Sequence, residues 1–153
     1  MCIISTYLPS NHDDLLMRTQ RQLNNWIDEI KTKNWHSLIM GDFNTNTSTK
    51  KKKYTLFSKL QFTSFLSLLE FHNISTPTWQ QQELTSQIDD IWASSDILLD
   101  MDTPILSNAI GILDSDHKII NTTWHTRFTS SGPRDRKKMK RKIYHYNKMK
   151  EQD

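Results

Sequence analysis

The residues of this chain whose types suit chemistry fall into four short polar clusters: Tyr7-Leu8-Pro9-Ser10-Asn11, Gly41-Asp42-Phe43-Asn44, Ile88-Asp89 and Ser115-Asp116-His117. Between them they offer three carboxylates, two carboxamides and one imidazole. Carboxylates are hard oxygen ligands of the kind Mg²⁺ takes. A histidine oriented by a carboxylate is a hydrogen-bond donor or proton carrier near neutral pH. Each cluster alone also fits a bland role, because a carboxylate that follows a strand commonly caps a helix or closes a turn. What sets them apart is that all four sit at the ends of apolar runs.

Those runs define the elements that must hold the clusters. Met1 to Pro9 is apolar and β-favouring and stops at a proline, which predicts a buried strand running into a loop. From Asp13 to Lys33, Leu15, Leu16, Leu23, Trp26, Ile27 and Ile30 recur at helical spacing behind Ser10, Asn11 and Asp13 as caps. His36 to Asn44 reads as a strand that delivers Asp42 and Asn44 to a loop. Strand, helix and strand in that order predict an α/β layer architecture.

Thr45 to Lys53, with four consecutive lysines, is expected to be an exposed loop, and Tyr54 to Phe71 carries a helical stripe. Further strands are expected at Ser75–Trp79, Ser86–Ser94, Thr103–Ile110 and His117–Trp124. On the third-last of these, successive side chains face opposite ways, so Asp90 is expected to be structural where Asp89 is functional. The five tryptophans, Trp26, Trp35, Trp79, Trp92 and Trp124, have rings that can stack on bases, but in such elements they are expected mostly in the core.

With 153 residues the chain is the size of one domain, and its five Trp, six Phe and four Tyr argue against wholesale disorder. Charge is unevenly spread. From Ser130 to Asp153 there are nine Lys/Arg against three Asp/Glu, so this stretch carries +6, and the preceding residues, eleven against fourteen, carry −3. The break at Ser130-Ser131-Gly132-Pro133 predicts a domain over residues 1–129 and a basic linker or tail over 130–153. Arg136, Lys137, Lys138, Lys140, Arg141 and Lys142 are candidates for polyanion contact or a nuclear-import signal, as are Lys50 to Lys53 for a phosphate backbone. Cys2 is the only cysteine, which excludes an internal disulfide and a cysteine zinc site. No run is apolar enough for a membrane span or a signal peptide, so an intracellular and more specifically nuclear setting is expected, and the Asn-x-Ser/Thr matches at Asn46, Asn73 and Asn121 carry no meaning.

In order and spacing, Gly-Asp-Phe-Asn after one strand, Ile-Asp-x-Ile on a later one and Ser-Asp-His opening the last resemble the C-terminal motifs of the endonuclease/exonuclease/phosphatase superfamily. The nearest likeness is to the endonuclease domains of non-LTR retrotransposons, and it covers roughly Met1 to Trp124, with Tyr-x-Pro-x-Asn at the family's strand-to-helix junction. The resemblance implies an α/β (α+β) fold that is half of a four-layered α/β/β/α sandwich. It implies Mg²⁺ (or Mn²⁺) and a nucleic-acid substrate, DNA before RNA. Asp42 would position or deprotonate the attacking water, and Asn44 would bond the phosphate or the metal shell. His117 would contact the scissile phosphate while Asp89 accepts a hydrogen bond from its other ring nitrogen. Asp116 would join Asp42 and Asn44 at the metal, and Asn11 would lie along the nucleic acid.

The chain also departs from the family pattern. The family's early asparagine and metal-binding glutamate have no counterpart here, which is expected of a domain truncated at its N-terminus, a piece of a larger polyprotein or a half completed by another chain. Some relatives place a tyrosine near the helix after Tyr-x-Pro-x-Asn, and none occurs from Asn11 to Lys33. Three readings follow from the sequence: a metal-dependent endonuclease domain, a non-catalytic remnant that binds nucleic acid, and a split-domain partner.

Overall fold

A computed structural model of the chain describes residues 1–46, 54–108 and 115–125. The lysine loop, the 129/130 boundary and the basic residues from Arg136 to Lys142 lie outside the described residues. Strands β1 (Cys2–Tyr7), β2 (Ser37–Asp42), β6 (Asp89–Ser94) and β3 (Phe65–Ser67) form a four-stranded sheet in the order β1-β2-β6-β3. β1 and β2 run parallel, joined by helix α1 (Asp13–Lys33), and β6 runs antiparallel to both β2 and β3. Two hairpins complete the strands, β4 (Trp79–Gln81) with β5 (Leu84–Ser86) and β7 (Ile105–Asn108) with β8 (Lys118–Asn121). The result is the mixed α/β fold that the element order predicts.

Each face of the sheet has its own core, as strand alternation requires. On one face Ile4, Ile39, Trp92 and Phe65 pack under Leu16, Leu23, Ile27 and Ile30 of α1 and Leu56, Phe57 and Leu60 of helix α2 (Thr55–Phe62). The α1 stripe keeps Leu16, Leu23, Ile27 and Ile30 of the predicted one, leaves Leu15 and Trp26 exposed and gains Gln20: its side-chain oxygen accepts the Leu56 amide at 3.1 Å and so serves the start of α2. On the other face Leu38, Ile91 and Ala93 meet Ile97, Leu98 and Met101 around a short 3-10 turn (Leu98–Asp100), with Met40, Ile120 and Trp124 alongside.

Four expectations need correction. The N-cap of α1 is His12, with no side-chain cap bond, and not Ser10, Asn11 or Asp13. The stripe from Tyr54 to Phe71 is not one helix. α2 stops at Phe62, where the Thr63 hydroxyl bonds back to the Lys59 carbonyl and Ser64 turns to φ 63, and Phe65–Ser67 becomes an edge strand before the single turn of α3 (Leu68–Phe71). Apolar spacing did not separate these pieces because Phe65 and Leu68 suit a helix and a strand equally. The expected Ser86–Ser94 strand is likewise two strands, β5 and β6. Of the tryptophans only Trp92 is fully buried; Trp79 and Trp124 are half-buried, and Trp26 and Trp35 are exposed.

Asp90 is structural, as its strand position implies. Only 2% exposed, it accepts the Ile91 amide at 2.7 Å, and the Ser67 hydroxyl and Leu69 amide also donate to it. The Ser67 oxygen in turn accepts the Glu70 amide, so one carboxylate ties β6 to the β3–α3 corner. Burial nonetheless outweighs these donors and pushes its pKa from 3.8 up to about 6. Because the fold binds this proton more tightly than the unfolded chain, the resulting stabilisation is complete below pH 3.8 and is lost as pH rises through about 6. At about 1.36 kcal/mol per unit, the parent is expected to lose roughly 3 kcal/mol relative to Asp90→Asn between pH 3 and 7, measured by urea unfolding at each pH. Parallel curves for the two proteins would refute this account of Asp90.

Candidate active site

The site is built at the end of the sheet where β1 and β2 both finish. Register pairs Tyr7 with Asp42 across β1–β2 and Asp42 with Asp89 across β2–β6. Alternation puts the three side chains on the same face, in line with Leu38 and Met40 on β2 and Ile91 and Ala93 on β6. Gly41 makes this approach feasible. It holds φ 148, and a Cβ there would lie 1.8 Å from the Thr6 carbonyl oxygen.

Beyond β2 the chain turns at Asn44, which takes a left-handed φ of 49. The Asn44 amide nitrogen donates to Asp42 Oδ1 at 2.7 Å, and its side-chain nitrogen donates to Asp42 Oδ2 at 3.1 Å and to the Leu8 carbonyl at 2.8 Å. Both side-chain hydrogens are therefore engaged, and the group Asn44 has left to offer is its Oδ1 acceptor. Asn44 thus grips both oxygens of Asp42 and ties them to the end of β1.

The imidazole arrives from the other hairpins. His117 forms a β-bridge with Trp79, and its Nδ1 lies 2.9 Å from Asp89 Oδ2. With Asp89 as acceptor, Nδ1 carries the proton and Nε2 is the outward atom. Asp116 stands on the outer side, its Oδ1 3.9 Å from His117 Nε2 and its Oδ2 accepting the Trp79 indole N–H at 2.7 Å. Asp42, Asp89 and His117 each bring a ligand atom within 4.8 Å of the others. Asp89 is inside this group, and Asp116 stands beside it at His117 Nε2. Asn11 sits on the exposed loop between β1 and α1, at the same end of the sheet.

Electrostatics make the cluster one unit. Burial raises the Asp42 pKa most; the Asn44 amide opposes this, and the charges of Asp89 and Asp116 add to it. For His117, burial alone would lower the pKa, but the hydrogen bond to Asp89 and the charges of Asp89, Asp42 and Asp116 prevail and raise it. Three carboxylates around one imidazole leave excess negative charge, which a divalent cation would offset.

Two contributors escaped the sequence reading. Tyr7 opens the Tyr-x-Pro-x-Asn motif, and it is the parallel register of β1 and β2 that places it beside Asp42. Thr78, fully buried, accepts the amides of both Ile88 and Asp89 on its hydroxyl oxygen at 3.0 Å, while its carbonyl accepts the Lys118 amide at 2.6 Å. One residue so fastens the segments that carry Asp89 and His117. No property of an isolated threonine announces this. A cavity of about 320 Å³ between β1 and α1, lined by Ile3, Ser5, Trp26, Glu29 and Trp35 among others, is remote from this chemistry and has one carboxylate and no histidine.

Comparison with known proteins places the geometry. The family model described as endonuclease-reverse transcriptase matches residues 1–121. Among solved structures, the 3′-5′ exonuclease NExo from Neisseria meningitidis is similar over 80% of this chain and 60% of its own, with TM-score 0.65 and 17% identity. An AP endonuclease from Archaeoglobus fulgidus matches over 81% and 61% at TM-score 0.61 and 12% identity. The endonuclease domain of TRAS1, a telomere-specific non-LTR retrotransposon, matches over 70% and 52% at TM-score 0.56 and 16% identity. The chain thus spans about 60% of the length of the first of these, and at such identities the likeness is one of fold. No curated protein matches the sequence.

Two measurements probe the site directly. In a nuclear magnetic resonance titration the His117 ring is expected to hold its proton above the ordinary imidazole value of 6.5, and to fall back toward it in Asp89→Asn. An unchanged midpoint would refute the pairing. Thr78→Val leaves two amides without an acceptor, so a loss of about 1–3 kcal/mol is expected in denaturant unfolding; a neutral substitution would show that Thr78 fastens nothing.

Proposed function

The chain belongs to the endonuclease-reverse transcriptase family of the endonuclease/exonuclease/phosphatase superfamily, and from that membership we propose that it is a divalent-metal-dependent nucleic-acid endonuclease domain of the retrotransposon type. The observation that carries the reading is the Asp42–Asp89–His117 group, with its Asp89–His117 bond and its surplus of negative charge. Its donor set fits a small hard cation: the two carboxylates are oxygen ligands of the kind Mg²⁺ and Mn²⁺ take. Among the described residues the Asp42 and Asp89 carboxylates would hold it, with Asn44 Oδ1 available beside them and His117 left to face the phosphate. When bound, such an ion supplies positive charge against a phosphate and acidifies a water molecule.

The protein's own groups account for the rest. Asp42, with its pKa raised, is an acceptor for the proton of an attacking water. Asn44 keeps both oxygens of that carboxylate in place. His117, with its pKa raised by its carboxylate neighbours, presents Nε2–H to a non-bridging phosphate oxygen, and Asp89 keeps the ring in that tautomer. Tyr7, exposed beside Asp42, offers a second donor to the phosphate.

DNA is the proposed substrate in preference to RNA, and the nucleus the proposed setting. One solved relative, a Neisseria NExo variant described as a 3′ phosphatase, is bound to a product DNA hairpin, and the superfamily's retrotransposon members motivate the type. The basic residues Arg136 to Lys142 and the loop residue Asn11 are proposed contacts along the backbone. The glutamate that the resemblance assigns to the metal is proposed to come from a further segment or a complementing chain, consistent with the greater length of the similar structures.

The test is nicking of supercoiled plasmid by purified chain with Mg²⁺ or Mn²⁺. Asp42→Ala and His117→Ala are each expected to slow nicking by about 100-fold or more, the scale of a lost acid–base group, and chelation to abolish it. Equal nicking by the parent and both variants would sink the enzymatic reading; no nicking by a folded parent supplied with metal would make this chain a remnant or a half-site that needs the segment or chain carrying the glutamate.

A further inference from the structure

Trp79 stands on a three-residue strand whose next two residues, Gln80 and Gln81, are exposed, and the tryptophan itself is only half-buried. Packing therefore does not account for an indole at this position. Its one polar group does have a partner: Nε1–H donates to Asp116 Oδ2 at 2.7 Å. A hydrogen bond to an ionised acceptor is stronger and more directional than a neutral one. With Oδ2 held, the other oxygen, Oδ1, is turned toward His117 Nε2 at 3.9 Å.

The backbone around this bond is already secured by other means. The Gln80 amide donates to the Asp116 carbonyl at 2.9 Å, and the Lys118 amide to the Thr78 carbonyl at 2.6 Å. These two bonds make the Trp79–His117 bridge and align β4 with the Asp116-His117 pair. Loss of the indole N–H would leave this alignment intact and release only the carboxylate. Asp116, exposed and without a second donor to Oδ2 among the described residues, would then rotate freely.

The geometry points to Trp79 as a positioning residue that fixes the Asp116 carboxylate on the outer side of His117. On the reading proposed above, which this inference deepens, the consequence is that the nitrogen facing the phosphate keeps one orientation between two carboxylates, Asp89 on Nδ1 and Asp116 near Nε2. Trp79 acts through Asp116 and touches no reacting atom. The chemistry asks for an N–H on an aromatic ring at position 79, so phenylalanine keeps the surface and loses the function.

The test has two arms on the full chain. The first needs no catalysis. In ¹H–¹⁵N spectra the Trp79 indole signal, identified by its loss in Trp79→Phe, is expected to shift upfield and exchange faster in Asp116→Ala, and the nuclear Overhauser contact between the Asp116 Hβ and His117 ring protons is expected to weaken in Trp79→Phe. An indole signal indifferent to Asp116, or an undiminished contact, overturns the proposal whether or not the chain cleaves anything. The second arm is a double-mutant cycle on nicking. Trp79→Phe is expected to lower kcat about tenfold with KM within twofold, and to have no further effect in the Asp116→Ala background. Additive losses would mean that Trp79 acts independently of Asp116. Absence of nicking in the parent would refute the proposed activity alone, and the spectroscopic arm would still decide the role of Trp79.

Discussion

Everything chemical in this fold depends on the register of β2 between its two neighbours. Asp42 lies opposite Tyr7 on one side and Asp89 on the other. Because side chains alternate along a strand, a slip of one residue would send Asp42 into the face occupied by Ile39 and Trp92 and bring Gly41 to the site. Three features lock the register: the apolar residues of β2 that are committed to different cores, Leu38 and Ile39; the close approach of Gly41 to the Thr6 carbonyl; and the hold of Asn44 on Leu8. The core thus decides where the carboxylates stand before any charge interaction does.

Charge then acts against that framework. Asp42, Asp89 and Asp116 converge on a single imidazole, so folding gathers like charges that would separate if they were free to. Hydrogen bonds hold them. Asn44 serves Asp42, His117 serves Asp89 and Trp79 serves Asp116, one neutral or cationic donor for each carboxylate. Asp90, next in sequence to Asp89, faces the other way and is satisfied by Ser67, Leu69 and Ile91 inside the fold. Two adjacent aspartates therefore do opposite work, one strained by exposure to its own kind and the other by burial.

Much of this was legible from residue types. Most of the α1 stripe, the strands before Pro9 and Asn44 and the inward role of Asp90 follow from periodicity, and the pairing of Asp89 with His117 is what the family resemblance implies. The family match over residues 1–121 agrees with the resemblance carried by Gly41 to Asn44, Ile88-Asp89 and Ser115 to His117. What periodicity misjudged was the stretch from Tyr54 to Phe71, because a helix and a short edge strand share the spacing of Phe65 and Leu68 and only pairing with β6 separates them. What motif reading misjudged was non-local. Tyr7 joins the site through a ladder 35 positions away in sequence, Thr78 through a buried hydroxyl, and Trp79 through an indole hydrogen. Such contributions depend on where strands meet, and a linear pattern holds no record of that.

The Thr78 clamp also divides the β4–β5 hairpin into two parts with different freedom. At its base, Thr78 and Trp79 grip Ile88, Asp89, Asp116 and Lys118. At its tip, Gln81 to Leu84 project into solvent around a turn at Gln82, with Leu84 67% exposed. Substitutions at the base would disturb the side chains of Asp89, Asp116 and His117, whereas the tip can change length and composition without moving any carboxylate. The hairpin thus joins a fixed base to a free tip, a division that would be lost without the two amide bonds to the buried Thr78 hydroxyl.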